Sequence, residues 1–94
     1  MAEAKQLNGL IYRFLQSIGI KDKIEENFAI VYWDAVVGKE IAKKTEPFKV
    51  IKGSLFVRVD DTVWRNELQF LKHEIIEKLN KKIGKNIIND IKFY

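Results

Sequence analysis

The chain of 94 residues has no cysteine, one proline, one histidine and one methionine. Without thiols it can build neither a disulfide framework nor a thiolate metal site, so a zinc ribbon is excluded and a reducing compartment fits. A nucleophile and base pair would have to combine His73 or a carboxylate with Ser17, Thr45, Ser54 or Thr62, and these fall in no recognisable motif. His73 falls on the polar side of an expected helix and reads as a solvated residue. No catalytic residue, metal ligand or cofactor is therefore expected. Long apolar runs are missing too. Met1-Ala2-Glu3-Ala4-Lys5-Gln6 lacks the basic start and apolar stretch of a signal peptide, and no other segment could span a bilayer. These absences lead us to expect a soluble, cytoplasmic protein that is not an enzyme, with no membrane contact and no small-molecule substrate.

What is present is a hydrophobic content of 47%, enough for one compact core. No repeat, low-complexity tract or linker interrupts it, so a single domain over residues 1–94 is expected, with the last strand running out with the sequence. The formal charge of +4 is unevenly placed. Residues 1–38 hold four Lys/Arg against five Asp/Glu, while residues 39–94 hold thirteen against eight. The basic excess belongs to the C-terminal part, and it fits a polyanionic partner.

Apolar periodicity sets out the elements. Leu7, Leu10, Ile11, Phe14, Leu15 and Ile18 recur at helical spacing, with Gly19 as a left-handed C-terminal cap. Asp22-Lys23-Ile24-Glu25 resembles a capping box that opens a second helix ending near Gly38. Its apolar residues occupy two faces, Ile24, Phe28, Val31 and Ala35 on one and Ile30, Trp33 and Val37 on the other, which predicts burial on most sides. Lys39 to Lys44 form a short turn before Thr45-Glu46-Pro47 breaks it. A hairpin follows, with Phe48 and Val50 alternating with Lys49 and Ile51, a tight turn at Lys52-Gly53, and Leu55, Val57 and Val59 alternating with Phe56 and Arg58. Asp60 and Asp61 stand where another helix needs an N-cap. Capping explains them better than Mg²⁺ binding, because neighbours in an extended segment point to opposite sides. Trp64, Leu68, Leu71, Ile75, Leu79 and Ile83 form that helix's stripe, Gly84 ends it, and Ile87 to Phe93 reads as a third strand. The fold class is α+β, in the order α-α-β-β-α-β, with a three-stranded sheet covered by helices on one side.

Two basic sets are candidates for nucleic-acid binding. Lys78, Lys81, Lys82 and Lys85 crowd the end of the last helix, where they could neutralise phosphates or complement the helix dipole. Lys39, Lys43, Lys44, Lys49, Lys52 and Arg58 spread over the short turn and hairpin, where Lys49 and Phe56 could border a groove or simply protect a sheet edge. Trp33 and Trp64 sit in helical stripes and read as core. A helix-strand pattern of this kind also suggests a KH-like RNA binder, but the glycines at 9, 19, 38, 53 and 84 are never three apart, so the Gly-x-x-Gly clamp is absent.

From Tyr32 onward the chain resembles the DciA family, once catalogued as a domain of unknown function. The run from Trp33 through Gly38, Ile41, Ala42 and Thr45 to Pro47 is similar to the family's opening motif, and the run from Gly53 through Leu55, Val57, Val59, Asp60, Asp61, Thr62, Val63 and Trp64 to Leu68 is similar to its central one. Leu79-Asn80, Gly84 and Ile88-Asn89-Asp90-Ile91 agree as well. The chain departs from the family at Asp61-Thr62, where small hydroxyl residues are common, and is expected to do without the long flexible extension that many members use in contacting the helicase. The resemblance implies a KH-like fold without the Gly-x-x-Gly loop, binding to single- or double-stranded DNA, and contact with the replicative helicase of bacteria that lack a dedicated ATPase loader. Lys43, Lys44, Lys49, Lys52, Arg58, Lys78, Lys81, Lys82 and Lys85 are the residues expected to hold nucleic acid. The alternatives are an RNA-binding module and a protein-interaction adaptor that binds no nucleic acid.

Overall fold

The computed structural model describes residues 9–14 and 17–94, the side chain of Lys21 aside. Residues 9 to 14 are helical, as the N-terminal periodicity predicts, while Leu7 and Leu15 lie outside the described residues. The elements that follow are α1 (Ile20–Val37), α2 (Lys39–Ala42), β1 (Thr45–Ile51), β2 (Ser54–Val59), α3 (Thr62–Ile83) and β3 (Asp90–Phe93). They make a three-stranded mixed sheet in the order β1-β2-β3, with β1 antiparallel and β3 parallel to β2. Parallel neighbours need a crossover, and α3 supplies it.

Period-two alternation decides which side of the sheet is covered. Leu55, Val57 and Val59 of β2 and Ile91 and Phe93 of β3 are buried against Ala29 and Trp33 of α1 and Leu68, Ile75 and Leu79 of α3. The helices form one layer: α1 packs on α3 and β1, and α3 packs on β2 and β3. Trp33 is fully buried, and its Nε1 donates to Thr45 Oγ1 (2.8 Å), whose hydroxyl donates to the Ile41 carbonyl (2.8 Å). That relay joins α1, α2 and β1 and satisfies both polar groups. Trp64 is half-buried against the same core.

The punctuation is largely as expected. Asp61 caps α3, its Oδ1 accepting from the amides of Val63 (2.8 Å) and Trp64 (3.2 Å). Lys52 and Gly53 have φ of +48° and +82°, the positive values that a two-residue hairpin turn requires. Asn80, near the end of α3, accepts from the amides of Ile87 (3.0 Å) and Ile88 (2.8 Å) and donates to the Ile88 carbonyl (2.9 Å). Those bonds hold residues 87 and 88 out of the sheet, so the last strand is shorter than the expected 87–93.

Three further expectations are corrected. The capping box at Asp22 is not used: α1 begins at Ile20 after Gly19, which is left-handed but serves as the N-cap. Glu25, which would have to reach back to a cap amide, is instead turned inward, 4% exposed, with Lys85 Nζ at 3.0 Å. Nor is α1 buried on most sides. Ile24, Phe28, Val31 and Ala35 face solvent, because the sheet and α3 together cover only the opposite face. Finally, β1 does not alternate cleanly and already includes Thr45 to Pro47. Its register against β2 shifts between Pro47 and Lys49, so Phe48 leaves the face it was expected to share with Val50.

Candidate nucleic-acid interface

Among the described residues, no helix covers the far side of the sheet. Phe56 and Arg58 project there from β2, since their neighbours Leu55, Val57 and Val59 are buried, and Lys92 projects from β3 between Ile91 and Phe93. On β1, Lys49 lies directly opposite Phe56. An extra residue in one strand re-aims the side chains beside it, and the bulge at Phe48 puts two successive β1 residues on the same outer face.

The result is a cluster of three aromatic rings, Phe48 from β1, Phe56 from the central strand β2 and Tyr94 from just beyond β3. Phe48 and Phe56 have centroids 6.2 Å apart, Phe48 and Tyr94 6.4 Å, and Phe56 and Tyr94 5.8 Å, the last pair within 10° of parallel. Cations surround them. Lys49 Nζ lies 4.8 Å from the Phe56 centroid and 5.7 Å from that of Phe48; Lys92 Nζ is 5.6 Å from Phe56; the Arg58 guanidinium is 5.9 Å from Phe48. Each is within the roughly 6 Å at which a ring quadrupole attracts a cation. Glu46 stands beside Arg58 at 4.0 Å, while Asp90 is turned to Lys72 of α3 at 3.1 Å. Phe48 is 40% and Tyr94 56% exposed, so water and solutes reach the rings.

The other sequence-selected cations are elsewhere. Lys78 is paired with Glu74 one turn earlier on α3 (3.8 Å), and Lys85 with the buried Glu25. Lys82 Nζ lies 5.8 Å from the Tyr32 ring of α1, and Lys81 borders an open depression of about 460 Å³ with Glu77, Asn80, Gly84, Lys85 and Asn86. This set belongs to the helix layer, on the opposite side of the sheet from Lys49, Arg58 and Lys92. Lys43 and Lys44 are exposed at the turn before β1, and Lys52 sits at the hairpin tip, in a cleft shared with Lys23, Glu26 and Asn27 of α1. The nine residues therefore do not form one continuous surface. Sequence alone points to Lys49, Phe56 and Arg58 at the sheet; Phe48, Lys92 and Tyr94 come from the fold. The signal available for Lys92 and Tyr94 is their alternation with Ile91 and Phe93 in a strand expected to join the hairpin.

The family model described as "Dna[CI] antecedent, DciA" matches residues 6–93. The chain belongs to the DciA family. The match reaches back through the N-terminal helix, beyond the residues from Tyr32 onward that carry the resemblance. Curated relatives of this DciA domain include a UPF0232 protein of Corynebacterium glutamicum, 25% identical over 97% of this chain and 51% of its own length. Another, from Mycolicibacterium smegmatis, is 28% identical over 97% of this chain and 47% of its own. A third, from Rhodococcus jostii, is 27% identical over 79% of this chain and 39% of its own. The chain thus spans about half or less of the length of these relatives.

Among the described residues, no three His, Cys, Asp or Glu side chains converge as metal ligands. No helix among them is long and apolar enough to cross a membrane. His73 is exposed on α3.

Proposed function

We propose that this DciA domain is a non-catalytic, cytoplasmic module that binds DNA and assists loading or activity of a bacterial replicative helicase. The observation that carries the DNA-binding part is the convergence of Lys49, Arg58 and Lys92, the first and last 43 positions apart along the chain, around exposed aromatic rings on a sheet face that no helix among the described residues covers. Cations there meet phosphates without reading base edges. The helicase part rests on family membership. Lys43, Lys44 and Lys52 flank the same hairpin and would extend the contact. Lys78 and Lys85 already hold carboxylates and serve the fold in this reading, with Lys81 and Lys82 left as a second, weaker surface.

The test is fluorescence anisotropy of labelled single- and double-stranded DNA over a range of salt, with and without the helicase. Three phosphate contacts on a single strand give a slope of log K against log salt of about −2, or roughly 20-fold weaker binding between 50 and 200 mM. Lys49→Gln with Lys92→Gln should flatten that slope to about −0.7. A helicase-dependent gain in affinity supports the loading role. Absence of binding at low salt in both conditions sinks the DNA reading and leaves an adaptor, and tighter binding of RNA of the same sequence makes it an RNA-binding module.

A further inference from the structure

We infer that the Phe48, Phe56 and Tyr94 cluster is a stacking platform for the unpaired bases of single-stranded DNA. This rests on the DNA-binding reading and adds the form of ligand and the atoms that meet it. Lysines alone keep a sheet edge from pairing with another sheet. Lys49 on the edge strand β1 already does that, and three large rings beside it add nothing to the task. They are not core either: Phe48 and Tyr94 are 40% and 56% exposed, on the side away from the helices.

The rings and cations are arranged as a nucleotide strand requires. Every base has a π-face, so a ring binds it without regard to sequence, while the charged backbone runs alongside. Lys49 and Lys92 flank Phe56 at 4.8 and 5.6 Å, and Arg58 lies 5.9 Å from Phe48, so a base laid on either ring brings its phosphate within reach of an amine or guanidinium. Tyr94, stacked near-parallel with Phe56, extends the cluster toward the β3 side, and the tilted Phe48 extends it toward β1, so that a strand crossing the sheet meets more than one ring. The β1 bulge is the device that brings in the third ring, because without it Phe48 would turn inward and leave only Phe56 and Tyr94 on the outer face. Charge complementarity selects the occupant. Asp90 is drawn off to Lys72, and Glu46 is held beside Arg58, so Lys49 and Lys92 touch rings rather than carboxylates among the described residues. A duplex keeps its bases stacked on one another and offers these rings no π-face, which makes the single strand the ligand.

The experiment uses the full chain with Phe48→Leu, Phe56→Leu and Tyr94→Leu, each of which keeps apolar bulk and all charges. Thermal melting checks that each variant folds. Labelled oligothymidylate and a duplex are titrated by anisotropy, and oligothymidylate carrying 5-iodo-deoxyuridine is photocrosslinked and the adduct mapped. The expected result is about tenfold weaker binding of the single strand per ring removed, with the salt slope unchanged, little effect on the duplex, and adducts on Phe48, Phe56 or Tyr94. If the parent binds with a steep salt slope but the leucine variants bind equally well, or adducts map to the end of α3, the platform is wrong while the DNA-binding reading survives. If the parent binds no nucleic acid, both fall together. A stronger effect of the substitutions on RNA than on DNA of the same sequence overturns the choice of DNA.

Discussion

Gly53→Ala measures how tightly the hairpin tip is tied to the rest of the sheet. Gly53 has φ of +82° and is buried, and an added Cβ would come 2.5 Å from Asn89 Nδ2 and 3.1 Å from the Ile87 carbonyl oxygen. Its own backbone is fully engaged: the amide donates to Glu26 Oε2 (3.0 Å) and the carbonyl accepts from the Asn89 amide (2.8 Å). Alanine in the left-handed region costs about 1–2 kcal/mol before any contact is counted. The Asn89 side chain can swing away, but the Ile87 carbonyl is backbone in a segment pinned by Asn80, so relief there means shifting the entry to β3. We expect a total of about 2–3 kcal/mol, which for a chain of this size lowers Tm by about 10–20 °C. Thermal melting followed by circular dichroism reads it directly. Adding Asn89→Ala removes the closest contact and should recover about 1 kcal/mol, a coupling that independent sites would not show. A Gly53→Ala chain that melts within about 4 °C of the parent would refute this reasoning about the close approach of turn and strand.

Two other substitutions separate structural from ligand-binding roles. Asp61→Ala leaves the amides of Val63 and Trp64 without their acceptor and should cost about 1 kcal/mol, with Asp61→Asn retaining most of it; equal melting of the alanine variant and the parent would remove the cap from the account. Lys85→Ala strips a partner from Glu25, whose side chain is 6% exposed, but the lysine itself is 54% exposed, so the loss should be about 1–2 kcal/mol rather than that of a fully buried pair. DNA affinity should not change, and a weaker Kd at unchanged Tm would show that Lys85 is a phosphate ligand after all.

Much of the architecture was legible because local signals agreed with one another. Gly53 and Asp61 mark a turn and a cap by chemistry confined to a few residues, and the α3 stripe is long enough for its period to be unambiguous. Burial around α1 was not legible in the same way. Both of its apolar faces satisfy helical spacing, and only the three-dimensional arrangement decides that Trp33 and Ala29 meet the sheet while Val31, 71% exposed, does not. Glu25 shows the same limit at one residue: three positions after Asp22 it fits a capping box, yet a lysine 60 positions away claims it.

The candidate site was less legible than the fold, and the reason lies in counting charge along the chain. The excess in residues 39–94 is divided by the sheet into two surfaces that sequence cannot separate, because α3 follows the hairpin directly in the chain but packs on the face of the sheet opposite to the one from which Lys49 and Arg58 project. The denser run, Lys78 to Lys85, sets one cation, Lys82, against a single ring, Tyr32 of α1, and Glu74 and Glu25 hold two of the others. The sparser set gains its coherence from two features that period-two reasoning hides: the register shift at Phe48, which breaks the alternation on which the reading depends, and the parallel pairing of β3 with β2, which sets Lys92 beside Phe56. In the proposed interface the cations are thus set against a cluster of rings, and that placement is a property of strand pairing rather than of local sequence.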